Sequence, residues 1–113
     1  MGMSIMHGAR LYGLFLGVMT VTAVCAASPA PERQQELRNL LTQDCGSCHG
    51  MRLTGGLGPP LTPRALNTKS RERLTADIRD GRPGTPMPPW KNLLSDDDIA
   101  WLVDVLLEGQ RRE

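Results

Sequence analysis

The run Cys45-Gly46-Ser47-Cys48-His49 places two thiols three residues apart and an imidazole directly after the second. That spacing suits covalent haem attachment: each sulfur can add to one vinyl group of the porphyrin while the histidine turns under the ring to reach iron. Two other readings of the same residues are weaker. A structural zinc site takes about four ligands, and beyond these three the chain offers only Cys25 and His7, both in a segment that reads as a leader. A redox-active dithiol of the thioredoxin type needs a βαβ setting, and no part of the chain alternates apolar and polar residues as a strand would.

Toward the N-terminus, Met1 to Arg10 carries one formal charge, Arg10, and Leu11 to Ala27 carries none. A charged start, an apolar middle and a cluster of small residues are the parts of a secretory signal. Residues 1–27 are therefore expected to be a leader, cleaved after Ala26 or Ala27, and residues 28–113 the working domain. An uncleaved anchor is the first alternative, since the apolar run approaches the roughly 17 to 25 residues that span a bilayer. A lipidated Cys25 is the second, although Val24 before it is bulkier than such processing prefers. Export implies the periplasm and, after cleavage, no stable membrane insertion. In an oxidising compartment a Cys-x-x-Cys pair tends toward a disulfide, so the pair must be kept reduced until haem is attached.

From Ser28 onward twelve Lys and Arg face twelve Asp and Glu. A nucleic-acid footprint needs a basic excess; none exists, so nucleic acid is not a partner. The same stretch holds two aromatic residues, Trp90 and Trp101. A domain this small buries a modest share of its surface and commonly depends on a staple, metal or cofactor. One covalent haem is expected at the centre of the core, with the haem-free chain largely unfolded.

The apolar pattern is helical, and the fold class expected is all-α. Pro31 suits a first helical turn, where the absent N–H costs nothing, and Leu37, Leu40, Leu41 and Cys45 follow at i, i+3, i+4 and i+8. This amphipathic helix runs straight into the Cys-x-x-Cys-His motif. Gly50 to Leu61 is a loop rich in glycine and proline; no Gly-Lys-Ser/Thr follows it, which argues against a phosphate cradle. A helix over Ser70 to Asp80 has Thr68 or Ser70 as its cap, Leu74 and Ile78 on one face, and Gly81 as its stop. Pro83, Pro86, Pro88 and Pro89 make Arg82 to Trp90 a stiff strap. Ser95 then caps a last helix whose first turn carries Asp96, Asp97 and Asp98, read as a solvated capping turn in preference to a metal or docking site. Ile99, Leu102, Val103 and Leu106 form its buried stripe, Trp101 and Val105 widen it, and Gly109 ends it.

With His49 on one side of the iron, the opposite position in electron carriers commonly takes Met or a second His. From Ser28 on there is no second histidine, and the methionines are Met51 and Met87. Met51 is tethered two residues beyond His49, on the same side. Met87 is far enough along to cross over, and Pro86, Pro88 and Pro89 would keep its sulfur aimed. Met87 is the expected ligand, with Met51 the alternative.

A helix ending in Cys-x-x-Cys-His, the segment Gly58-Pro59-Pro60-Leu61, a Met in a proline-rich loop and an amphipathic C-terminal helix together resemble the class I cytochromes c. That resemblance spans nearly all of residues 28–113 and implies small helices wrapped around one covalently attached haem. It implies that the Pro59 carbonyl accepts the Nδ1 proton of His49, that Leu61 packs on the ring, and that Leu37, Leu40 and Leu41 meet Trp101 and Leu102 where the terminal helices cross. It offers Trp90 or Arg64 as a partner for a propionate. The runs Thr54 to Pro59 and Asp80 to Trp90 are similar to a narrower group, the monohaem cytochromes c-55X encoded beside haem-c/haem-d1 nitrite reductase in denitrifying bacteria.

Two protein ligands would leave iron no open position, which points to a one-electron carrier and not an enzyme; a peroxidase-like activity would need Met87 to dissociate. The resemblance implies a cd1-type nitrite reductase as acceptor, a respiratory-chain cytochrome c reductase or quinol-oxidising system as donor, and a monomer. The alternative role it implies is in haem d1 biosynthesis or maturation of the reductase. Arg52, Arg64, Arg82 and Lys91 are the candidate cations around the haem edge.

Overall fold

The computed structural model describes residues 27–109 together with Gly2; apart from Gly2 and Ala27, the expected leader lies outside the described residues, as does the tail at 110–113. The described chain is helical and contains no strand, in keeping with the all-α expectation. No helix among the described residues is long and apolar enough to cross a membrane.

Helix α1 spans Pro31–Leu40 with Pro31 in its first turn, and Gln34 steadies the entry by donating its side-chain amide to the Pro29 carbonyl at 2.9 Å. From Leu41 to Cys45 the helix widens into a π-helical turn before tightening into α2, Gly46–His49. This differs from the single α-helical stripe read from the spacing. One wide turn absorbs an extra residue and rotates α2 relative to α1, so Leu37 and Leu41 are buried while Cys45 is only half-buried beside them. Gly50, at φ +88°, ends α2.

A short helix, α3, spans Pro63–Leu66, where the Thr62 hydroxyl accepts the Ala65 N–H at 3.3 Å. The sequence reading missed it, although Thr62-Pro63 is a cap followed by a helix-starting proline. Helix α4, Arg71–Asp80, takes Ser70 and not Thr68 as its cap, the hydroxyl accepting from Arg73 N–H at 3.2 Å. Helix α5, Asp96–Glu108, opens with a reciprocal capping box: Ser95 Oγ accepts from Asp98 N–H, and Asp98 Oδ2 accepts from Ser95 N–H, both at 3.1 Å. Leu37, Leu41, Leu66, Leu74, Ile99 and Leu102 join in one core, with Leu40 and Trp101 packed against it.

The acidic turn at 96–98 departs from the solvated reading. Asp96 and Asp97 are exposed, but Asp98 is buried. Arg33 on α1 holds its carboxylate with both arms of the guanidinium, at 3.2 Å from Nε and 2.8 Å from the terminal nitrogen. Such a fork is geometrically specific as well as strong. It ties α1 to α5 across 65 positions of sequence, and the Arg38 guanidinium, 5.2 Å above the Trp101 ring, adds a second link between the same helices.

The Arg33 guanidinium is the main cause holding the Asp98 carboxyl below the usual carboxylate range, helped by Ser95 and opposed by burial. A folded-state value below that of the unfolded chain, about 3.9, means this stabilisation is complete above that pH and is lost as pH falls through the folded value. Asp98→Asn should therefore lower stability at pH 7 by roughly 2 kcal/mol, the scale of buried hydrogen bonds to a charged group. Urea unfolding should show the gap between variant and parent closing toward pH 3.

Candidate haem-binding site

α2 carries Cys48 and His49 of the attachment motif, Cys45 closes the π-helical turn just before it, and the loop after α2 folds back onto them. Gly58 N–H donates to the Cys48 carbonyl at 2.7 Å and Gly55 N–H to the His49 carbonyl at 2.8 Å. These bonds satisfy carbonyls that the short helix leaves without partners, and they press the loop backbone against the imidazole. A Cβ on Gly58 would lie 2.7 Å from His49 Cε1 and 2.8 Å from Nδ1, so only hydrogen fits there. His49 is 8 % exposed, and its Nδ1 sits 2.7 Å from the Pro59 carbonyl oxygen. A carbonyl can only accept, so Nδ1 carries the proton and Nε2 is left with a free lone pair.

Cys45 is half-buried and Cys48 exposed, and both are free thiols. Burial, with a smaller contribution from Asp44, pushes the Cys45 thiol up to about 11. Leu61 is half-buried and packs against the core, and its N–H donates to the Leu53 carbonyl at 2.9 Å. Leu53 is buried with φ +56°, a left-handed conformation that costs a non-glycine residue roughly 1–3 kcal/mol.

The strap from Gly81 to Trp90 closes on itself and on the end of α4. Arg82 N–H donates to the Met87 carbonyl at 3.2 Å, Trp90 N–H to Ile78 and Lys91 N–H to Arg79. The Thr85 hydroxyl donates to the Arg82 carbonyl at 2.7 Å and accepts from Met87 N–H at 3.3 Å. Gly81, at φ +70°, has no room for a side chain: a Cβ would meet the Met87 carbonyl at 2.7 Å. Met87 is half-buried within this frame, whereas Met51 is 57 % exposed.

Two of the four candidate rim cations already have partners. Lys91 Nζ lies 3.5 Å from Asp80, and Arg82 Nε lies 3.9 Å from Asp77. Arg52 and Arg64 are exposed and carry no ion pair among the described residues. Among the described residues no three His, Cys, Asp or Glu side chains converge on a metal-sized site, and Cys25 and His7, the other ligands a zinc reading would need, lie outside the described residues.

A family model described as cytochrome c oxidase, cbb3-type, subunit III matches residues 32–105. A cytochrome c55X from Stutzerimonas stutzeri is 63 % identical over 104 residues, which is 91 % of this chain and 92 % of that one. The chain belongs to the cytochrome c55X family. The solved structure of a c-type cytochrome NirC is 66 % identical, covers 73 % of this chain and 96 % of its own, and superposes with a TM-score of 0.71. A dihydro-heme d1 dehydrogenase from Pseudomonas aeruginosa is 35 % identical over 92 % of this chain, a match confined to 20 % of that longer protein. The fold of this c55X member is that of the class I cytochromes c, and its cofactor is covalently bound haem c. The residues present fit that group. An imidazole whose tautomer leaves Nε2 free, in a cradle of glycine that any Cβ would fill, follows two free thiols at the attachment spacing.

Gly58→Ala should force His49 off the Pro59 carbonyl and destabilise the haem-loaded protein by roughly 1–3 kcal/mol, the usual penalty of overpacking. Thermal unfolding of the variant, with the yield of haem-loaded protein as a second measure, checks this.

Proposed function

We propose that residues 28–113, released from a leader cleaved at 1–27, act in the periplasm as a monomeric one-electron carrier. The acceptor is a nitrite reductase of the cd1 type in denitrification, and the donor a respiratory-chain cytochrome c reductase or other quinol-oxidising system. Cys45 and Cys48 hold the haem through thioethers, His49 and Met87 bind its iron, Pro59 orients His49, and Leu61 packs on the ring. The observation that most supports this reading is the 2.7 Å contact between His49 Nδ1 and the Pro59 carbonyl inside the glycine cradle.

When bound, the haem supplies reversible one-electron chemistry at iron. The chain does the rest. His49 keeps its Nδ1 proton on Pro59, which fixes the ring orientation and makes the imidazole a stronger donor through Nε2. The thioether of Met87 raises the reduction potential, and the backbone bonds of the strap confine that sulfur. If His49 and Met87 both hold the iron, no coordination position would stay open to substrate, which favours a carrier over an enzyme.

A second reading, a part in haem d1 biosynthesis or maturation of the reductase, draws support from the similarity to the dihydro-heme d1 dehydrogenase. The two separate by experiment. In the carrier role, stopped-flow mixing of reduced protein with a cd1 nitrite reductase from the same organism gives fast transfer, and a strain lacking the gene retains haem d1. No transfer, together with a reductase that lacks haem d1, would support the maturation role. Of the four candidate rim cations, Arg52 and Arg64 carry no ion pair among the described residues, so their reversal to Glu should slow the second-order rate more than reversal at Arg82 or Lys91, whose charges face Asp77 and Asp80. The difference should shrink once added salt brings the Debye length below about 8 Å.

Met87→Ala should remove the sulfur-to-iron charge-transfer band of the oxidised protein, open the iron to added cyanide and lower the potential. Persistence of the band would move the ligand to Met51 or another group. Fast, tight binding of cyanide or hydrogen peroxide to the unaltered oxidised protein would instead support a peroxidase-like activity.

A further inference from the structure

Among the described residues, Leu53 is the one non-glycine residue in the left-handed region, at φ +56°, and it is 4 % exposed. Gly50 and Gly55, on either side of it, are also left-handed, and for them the conformation carries no steric penalty. A leucine does meet that penalty, between its Cβ and its own backbone, and it persists there only when its surroundings over-determine the backbone. They do. The side chain belongs to the core cluster, the N–H donates to the Gly50 carbonyl at 2.8 Å, and the carbonyl accepts from Leu61 N–H at 2.9 Å.

The bond to Leu61 bears on the haem site because of two prolines. Pro59 and Pro60 have no N–H to give, so the segment that presents the Pro59 carbonyl to His49 cannot be anchored by its own donors. It is held upstream by Gly58 N–H on the Cys48 carbonyl, and downstream by Leu61 N–H on the Leu53 carbonyl. We infer that Leu53 is a positioning residue for the His49 imidazole: its core-anchored left-handed backbone holds the Pro59 carbonyl against Nδ1. The inference rests on His49 as iron ligand.

The test uses the haem-loaded, reduced protein and reads the solvent-exchange rate of the His49 Nδ1 proton by NMR. Leu53→Ala enlarges the cavity of about 330 Å³ that Leu53 and Leu61 already line, so the loop loses its footing. Leu53→Val keeps an apolar side chain but raises the cost of positive φ through its β-branch. Ile99→Ala, in the core on α5, serves as the control for general loss of stability. Relative to that control, both Leu53 variants should speed exchange about tenfold, equivalent to about 1.4 kcal/mol. Both should also raise the reduction potential, since a weaker carbonyl bond leaves the imidazole a poorer donor to oxidised iron. Leu53→Met, close in volume, should restore both values. If Leu53→Ala fails to retain haem, Leu53→Val carries the comparison. Exchange and potential that match the Ile99→Ala control at equal stability would reduce Leu53 to a plain core residue and overturn the inference. The reading of His49 fails separately, if the Nδ1 proton of the unaltered protein shows no shift characteristic of an iron-bound imidazole.

Discussion

The hydrogen bond from His49 Nδ1 to the Pro59 carbonyl sets the terms for the whole attachment loop. It decides the tautomer of a nearly buried ring, and a buried imidazole without a partner would bear the desolvation cost of an unpaired polar group. The carbonyl must reach the ring across a backbone that touches it, so Gly58 can carry no side chain. Proline at 59 and 60 stiffens the segment that carries the carbonyl, while removing the donors that would pin it. The anchoring falls to Gly58 and Leu61 on either side, and through Leu61 to a leucine in a strained conformation.

The Met87 side is built on a different principle. The attachment loop is held by backbone bonds to carbonyls of α2, the helix that bears Cys48 and His49. The strap instead returns to α4 and to itself. Gly81 admits the crossing of Met87 and Pro88, and backbone bonds to Ile78 and Arg79 close the far end. Ion pairs of Arg82 with Asp77 and of Lys91 with Asp80 bracket it from outside. Exposed pairs of this kind are worth little each, so proline stiffness and the packing around Gly81 carry more of the order than charge does. The pairs matter more for what they neutralise: of the four candidate rim cations, Arg52 and Arg64 are the two without an ion pair among the described residues.

Behind the site, α1 and α5 are joined by a fork that serves two purposes at once. Asp98 completes the capping box of α5 and receives the guanidinium of Arg33. One carboxylate thereby satisfies a helix end and docks a second helix. The π-helical turn at Leu41–Cys45 follows that docked helix and ends on the first cysteine of the motif. It keeps its own Leu41 in the core beside Leu37 of α1 while α2 turns His49 under its loop, a compromise that a uniform 3.6-residue period does not provide.

Much of this protein was legible in its residues because the signals are local. The Cys45–His49 spacing specifies its own chemistry, Pro31, Ser70 and Ser95 mark helix starts through groups within one turn, and Gly81 and Gly109 mark helix ends by their freedom at positive φ. The buried stripe of α5 follows from period alone. What the sequence could not decide depends on distance. Asp98 stands in an acidic triplet whose members look alike, and only the approach of Arg33 from α1 makes one of them a buried structural carboxylate. The pairing of Lys91 and Arg82 follows from how the strap folds back on α4. Leu53 has the composition of an ordinary core residue; its left-handed backbone arises because Gly50 and Leu61 are brought to it from both sides. Caps, breakers and periodicity act within a few residues and are written in the chain, whereas charge pairing and backbone strain are set when distant segments meet.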